Sequence, residues 1–427
     1  MSRLFEVSGA ILFGLVFCAG AGASGTTTTT TVKARQHSAG TTHVVAKGTT
    51  HAGARHTSAK SVATKQSTGT TQAAGTGRVV AHGRTSHGAR PMLAVRRTRY
   101  HEHFSASSFT DTLTLGDVVE GEDPVVRAAA IEALGNMNGT AIAIDPATGR
   151  ILAMVNQKLA LSRGAEPCST IKLTVALAAL EEGIVRRDTP VNLGGHFHMT
   201  MTEALAHSNN LYFETLGRQL GFERVKHYAN EFGLGELAGY HIAGEQLGTY
   251  PDEELPASLG GVGRMCSFGE SVSMTPLQLG ALVSAIANGG TLYYLQHPES
   301  QLDLATFEPK VKRSLEIAPL IPEISVGMEG AVMYGTARSL RVNFNQFPVM
   351  GKTGTCSNNG TRFGWFGSYA DTPNGRIVTV FFLEGGRPTF GPKAAELTGE
   401  FYRALWDKSY FLPKTTVAAD GVVSSSN

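Results

Sequence analysis

Cysteine is scarce in this chain. Cys18, Cys168, Cys266 and Cys356 are spread over 427 residues, and no two stand in a CxxC pair. That spacing excludes a disulfide framework of the small secreted kind and a metal site built on paired thiolates. Once Cys18 in the leader is set aside, an odd three remain, and such cysteines usually behave as small buried hydrophobes. Acidic residues are missing from a whole segment: residues 25–101 hold 12 Lys and Arg and no Asp or Glu. From Glu102 onward the balance reverses, with 24 basic and 34 acidic residues, so the net charge of +2 conceals a basic arm joined to an acidic body. Residues 7–23 form an uncharged apolar run, but it falls short of the ~20 residues that a spanning helix requires.

That run is nevertheless informative. Arg3 precedes it and Ala21-Gly22-Ala23 closes it as a small-x-small cleavage site, so residues 1–23 are expected to be an export signal, or an anchor if retained. Leu15-Val16-Phe17-Cys18 has the outline of a lipoprotein box, and bulky Phe17 argues against it. Either way the body is expected outside the cytoplasm. Residues 24–100 are Thr, Ala, Gly, Ser, His and basic residues, almost without large apolar side chains. Such a segment cannot bury enough surface to offset its ordering entropy and is expected to be a disordered linker. Its histidines are irregularly spaced and lack an accompanying carboxylate or thiol, so no metal or cofactor is expected. Its unopposed positive charge suits an anionic wall or membrane surface; nucleic acid is not an expected partner.

Folded structure is expected over residues 120–410, followed by a polar tail at 411–427. Asp123-Pro124 supplies a cap and first-turn residue for a helix over 125–137. Residues 140–145 and 150–155, joined by Pro146-Ala-Thr-Gly149, read as a β-hairpin. Helical spacing runs over 169–182, 201–232 and 275–287; β patterns occupy 349–355, 364–369 and 377–383; a last helix covers 393–406. Strands at both ends with helices between them predict an α/β chain of the α+β type, its sheet completed by distant segments.

Ser169-Thr-Ile-Lys172 sets a hydroxyl and an amine three residues apart at a helix start, on one face. Free N–H groups of that helix end could serve an oxyanion. A serine needs a base. For Lys172 to be one, its pKa must come down from about 10.4 towards neutrality, at a cost of roughly 4 kcal/mol, by burial and a neighbouring cation. A Ser and a Lys at this spacing recur by chance about once in a chain of this length, so the pair alone decides nothing. Lys352-Thr-Gly-Thr355 in a strand is far rarer. It offers a second ammonium at Lys352, close backbone approach at Gly354, and hydroxyls at Thr353 and Thr355 for a substrate carboxylate. Ser208-Asn209-Asn210 is an S-x-N triplet that recurs at Ser357-Asn-Asn359 and Ser425-Ser-Asn427; only Ser208 lies between the other two motifs in amphipathic sequence.

S-x-x-K, S-x-N and K-T-G in that order resemble the penicillin-binding proteins and serine β-lactamases. Residues 143–154, Glu166 to Gly183, Met274-Thr-Pro-Leu-Gln-Leu279 with Ala285-Ile-Ala-Asn-Gly-Gly290, Gly335-Thr-Ala337 and Gly364-Trp-Phe-Gly-Ser-Tyr369 are similar to segments of a penicillin-binding transpeptidase domain. The resemblance implies an antiparallel sheet flanked by helices plus a mostly helical lobe. It implies that Ser169 attacks a stem peptide ending in D-Ala-D-Ala, with Lys172 as base, Ser208 as proton relay, Asn210 as an amide contact and Lys352 tuning the site. Thr353 and Thr355 would hold carboxylate, and the backbone N–H groups of Ser169 and Thr355 would form the oxyanion hole. β-Lactams would acylate the same serine. The reading is a class-B-like D,D-transpeptidase without a long pedestal; a D,D-carboxypeptidase and a non-catalytic β-lactam sensor or envelope scaffold are the alternatives.

Several positions depart from the family pattern. Cys168 replaces a usual glycine, Ile171 a usual phenylalanine, and Gly269-Glu-Ser271 a usual G-Q-G; the stretch between hairpin and Ser169 is short. Cys168 and Cys356 each adjoin a motif, which makes a disulfide across the cleft the alternative to two buried thiols.

Overall fold

The structure, a computed structural model, describes residues 102–412. The expected leader and linker lie outside the described residues, as does the chain from residue 413 on. Asp123 caps α1 (Pro124–Leu134), its Oδ1 accepting from Val125 N at 2.9 Å and Val126 N at 3.2 Å. β1 (Gly139–Asp145) and β2 (Arg150–Val155) form the expected hairpin, whose turn is closed by Asp145 accepting from Ala147 N and Thr148 Oγ1. A helical lobe follows: α2 (Lys172–Glu181), α3 (Met201–Ala206), α4 (Asn210–Leu220), α5 (Phe222–Glu231) and α6 (Gly261–Phe268). Then come α7 (Pro276–Asn288), with a Thr275/Gln278 capping box, and α8 (Ile321–Met333). The chain returns to the sheet as β3 (Val349–Asn358), β4 (Thr361–Thr372) and β5 (Gly375–Gly385), and α9 (Gly391–Asp407) closes it.

The sheet is antiparallel with order β2-β1-β5-β4-β3, so the first hairpin pairs with the last strand, and β3 is an edge. Two-residue alternation sorts its side chains between two cores. Ile142, Ile144, Trp365 and Phe382 join the cluster that includes α7 and the helical lobe; Ala141, Ala143, Phe366 and Phe381 join the cluster under α1 and α9. α2 is buried on nearly every side, from Lys172 to Leu180, as a central helix must be. α8 links lobe to sheet by packing on both α3 and β3.

The structure extends some expected boundaries. Residues ahead of 120 already pack: Ser105 N donates to Gly360 O, and Asp117 pairs with Arg127 at 2.7 Å. Arg127 also pairs with buried Glu122, which bonds the buried His297, a polar network that has no local signature in the sequence. Phe411, assigned to the polar tail, is buried with its ring 5.1 Å from Phe347. Among the described residues, no helix is long and apolar enough to cross a membrane.

Candidate active site

The turn that carries Ser169 is clamped from two sides. Cys168–Ile171 forms a short 3-10 helix that runs directly into α2, which puts Ser169 just ahead of the buried helix and Lys172 at its first residue. Trp365 Nε1 on β4 donates to Glu166 O at 2.9 Å. β3 lies so close that a Cβ on Gly354 would meet Pro167 O at 2.8 Å, so glycine there permits the contact. A disulfide joins Cys168 to Cys356, with Cα atoms 5.5 Å apart. The expectation of three buried thiols therefore holds for Cys266 alone, and the bridged alternative is the arrangement found. Cys168 has φ +51°, the left-handed region where a glycine fits without cost, which accounts for the family's usual residue at this position.

Five chemistry-bearing side chains from three segments converge. Lys172 Nζ lies 3.0 Å from Ser169 Oγ, 2.8 Å from Ser208 O, 3.2 Å from Ser208 Oγ and 2.6 Å from Asn210 Oδ1. Lys352 Nζ donates to Ser208 Oγ at 2.7 Å and to Thr353 O at 3.0 Å. Ser208 Oγ thus bridges the two lysines. It sits in the α3–α4 connection with φ +53°, a strained backbone that aims both its carbonyl and its hydroxyl at Lys172. Asn209 caps α4 through Tyr212 N, which leaves Asn210 as the first helical residue facing the amine.

Both lysines are fully buried. Burial pushes Lys352 down to about 7. Burial drives Lys172 well below the ordinary lysine range, the charge of Lys352 adds to the effect, and Glu214 opposes it. A neutral amine has two N–H donors and one lone pair. The Ser208 and Asn210 carbonyl oxygens can take both hydrogens of Lys172, leaving its lone pair for the Ser169 hydroxyl. The cluster can therefore remove a proton from Ser169 and hand it on through Ser208.

Thr353 and Thr355 stand on the same side of β3. Thr355 Oγ1 accepts from Gly391 N at the start of α9 (2.8 Å), and Thr353 Oγ1 is 2.7 Å from Thr336 Oγ1. Thr336 is the residue that sequence reasoning left without a role. The segment Gly335-Thr-Ala337 was the available signal. Its Gly335 presses so closely on the Ala206 carbonyl that no side chain fits, and Thr336 N donates to that same carbonyl. One short segment thus ties the Ser208 connection to the K-T-G strand. Of the other S-x-N matches, Ser357-Asn-Asn359 lies at the end of β3 and its turn, and Ser425-Ser-Asn427 lies outside the described residues.

An antiparallel sheet with a helical lobe, a serine and lysine at a helix start, and a second lysine on the sheet edge make up a candidate site of the lysine-assisted serine kind. The family model described as penicillin binding protein transpeptidase domain matches residues 139–403. The chain belongs to the penicillin-binding protein transpeptidase domain family. Stage V sporulation protein D of Bacillus subtilis (strain 168) is 31% identical over 258 residues, 50% of this chain and 39% of that protein. Peptidoglycan D,D-transpeptidase FtsI of Escherichia coli (strain K12) is 23% identical over 340 residues, 70% of this chain and 54% of that protein. The chain thus spans about half or less of these relatives' lengths. The TP domain from Burkholderia pseudomallei penicillin-binding protein 3 superposes with a TM-score of 0.57 at 20% identity, covering 69% of this chain and 97% of that one, a likeness of fold.

Proposed function

We propose that this chain is a D,D-transpeptidase of the cell envelope that cross-links peptidoglycan stem peptides ending in D-Ala-D-Ala. The observation that carries the reading is the Ser169–Lys172–Ser208–Lys352 cluster, with both lysines buried and depressed in pKa. Lys172 takes the Ser169 proton as Oγ bonds to the penultimate D-Ala carbonyl carbon. The resulting oxyanion is received by the backbone N–H groups of Ser169 and Thr355, flanked by the Cys168–Cys356 bridge. Collapse breaks the peptide C–N bond, and the proton passes through Ser208 to the departing D-alanine amine, whose carboxylate Thr353 and Thr355 hold. An amine of a second stem then bonds the acyl carbon, its proton returns to Ser169 Oγ, and the ester bond breaks. Asn210 holds Lys172 through Oδ1, with its amide N–H₂ left for the substrate backbone. A β-lactam would be opened by the same serine. Export to the periplasmic or outer face of the cytoplasmic membrane belongs to the same proposal, on the strength of residues 1–23.

Fluorescent penicillin labelling tests it. Wild type should form a covalent adduct, and Ser169→Ala should form none; an adduct of equal intensity on the variant would refute Ser169 as nucleophile. Supplying a donor stem peptide with and without an amine acceptor then distinguishes cross-linking from hydrolysis.

A further inference from the structure

Beside the K-T-G strand the surface opens into a hollow of about 640 Å³ lined by Met333, Thr336, Arg338, Arg341, Val342 and Pro392. Thr336 connects it to the chemistry, since this lining residue also bonds Thr353 through its hydroxyl. Pro392 directly follows Gly391, whose N–H donates to Thr355. The hollow therefore adjoins the residues that bond Thr353 and Thr355, the two hydroxyls proposed to hold the departing carboxylate. Its charge is one-sided. Arg338 and Arg341 are exposed, and among the described residues neither is paired with a carboxylate; Arg341 Nη1 donates only to Met333 O, at 3.2 Å. Met333 and Val342 are 46% and 83% exposed, an apolar surface left open next to two guanidinium groups.

Transfer chemistry says which molecule approaches from this side. The attacking amine must bond the carbon that the departing amine left, along the reverse of the departure path and through the same proton relay. An acceptor strand therefore enters past Thr353 and Thr355 and extends away from them, into the hollow. A stem peptide presents several carboxylates along its length, and a planar guanidinium suits carboxylate by paired N–H···O bonds. We propose that the hollow is the acceptor subsite, in which Arg338 and Arg341 hold carboxylates of the incoming stem peptide while Met333 and Val342 contact its aliphatic side chains. The inference rests on the transpeptidase reading and goes beyond it by assigning the acceptor's binding groups.

The test runs on the full chain in two stages. Fluorescent penicillin is applied to wild type first; absence of an adduct refutes the acyl-enzyme reading itself. With an adduct established, a donor stem peptide is turned over with an acceptor stem peptide, and cross-linked product is measured against hydrolysed product. Working from this ratio removes any difference in acylation. Two acceptors are compared: one with free carboxylates, and one with the carboxylates remote from its amine amidated. Wild type should favour the free acid at least tenfold, and Arg338→Gln with Arg341→Gln should abolish that preference while Arg338→Lys with Arg341→Lys restores part of it. Equal use of both acceptors by wild type overturns the proposal without recourse to any variant. So does a preference that survives in the double Gln variant. Hydrolysis alone, with an adduct but no cross-link to either acceptor, removes the transfer reading and the subsite together.

Discussion

At Lys172 the nitrogen has more neighbours than a neutral amine has hydrogens, and their identities set the direction of the proton transfer proposed for Ser169. Two are carbonyl oxygens that can only accept, so the remaining lone pair meets a hydroxyl. The pH dependence follows. A lysine with a depressed folded pKa binds its proton less tightly in the folded than in the unfolded chain. Its neutral form therefore adds stability as pH rises from the folded to the unfolded value, and that stability is lost as pH falls through the folded one. For Lys352 the window opens at about 7 and ends near the ordinary lysine value of ~10.4. Acylation should lose rate on the acid side as Lys172 takes up its proton. Lys352→Gln removes the cation that helps depress Lys172, so the acid limb should move to higher pH and the rate at neutrality should fall by about a hundredfold with the loss of the Ser208 contact. Glu214→Gln removes the opposing charge and should move the limb to lower pH. Second-order rate constants for penicillin acylation, measured across pH, decide the matter: shifts in the same direction for both variants would contradict this electrostatic account.

Among the elements, the contact between the turn that carries Ser169 and β3 sets how the proposed nucleophile faces the K-T-G strand. Ser169 precedes a helix that belongs to the lobe, and Thr355 lies on the edge of the sheet; the Cys168–Cys356 bridge joins the two segments. Reduction should release two further titratable thiols from the unfolded chain and lower stability by about 2–4 kcal/mol. Cys168→Ser loses the bridge and keeps a side chain at φ +51°. Cys168→Gly loses the same bridge but relieves the backbone, and should unfold at higher denaturant, by about 1 kcal/mol. Equal stabilities for the two variants would show that the turn relaxes once unbridged. Thr336→Val should weaken use of carboxylate-bearing substrates more than it slows acylation at saturation, because it frees the Thr353 hydroxyl from its only side-chain partner among the described residues; kcat and KM for a donor peptide separate the two effects. Much of this was legible in the sequence, because helical spacing, the Asp123-Pro124 cap and strand alternation are local signals. So were the serine and both lysines, each inside a short ordered motif. What was not legible depends on distant segments meeting. Neither the Arg127–Glu122–His297 network nor the role of Thr336 has a sequence period, and Cys168 and Cys356 are 188 residues apart, so only the fold could choose between two thiols and a bridge.

Over the whole molecule, charge is segregated by segment. Residues 25–101 carry 12 positive side chains without one negative, while the chain from Glu102 on has ten more acidic than basic residues. We propose that an anionic lipid or wall polymer attracts the first segment and repels the second. Each Lys or Arg near an anionic membrane surface contributes on the order of 1 kcal/mol, and the attraction fades over a Debye length of about 10 Å at 0.1 M salt. On this proposal a few engaged residues should outweigh the diffuse repulsion of a body whose charges are mixed in sign. The full chain should consequently be retained on anionic vesicles or purified wall polymer at low salt, released as salt rises, and passed through by neutral vesicles. A chain beginning at Glu102 should not be retained on either anionic surface. Replacing half of the 12 basic residues with Gln should shift release to lower salt, because fewer counterions are displaced when fewer cations bind. Retention that is indifferent to salt, or equal for the full and shortened chains, would assign surface binding to the folded body and leave the basic arm without an electrostatic role.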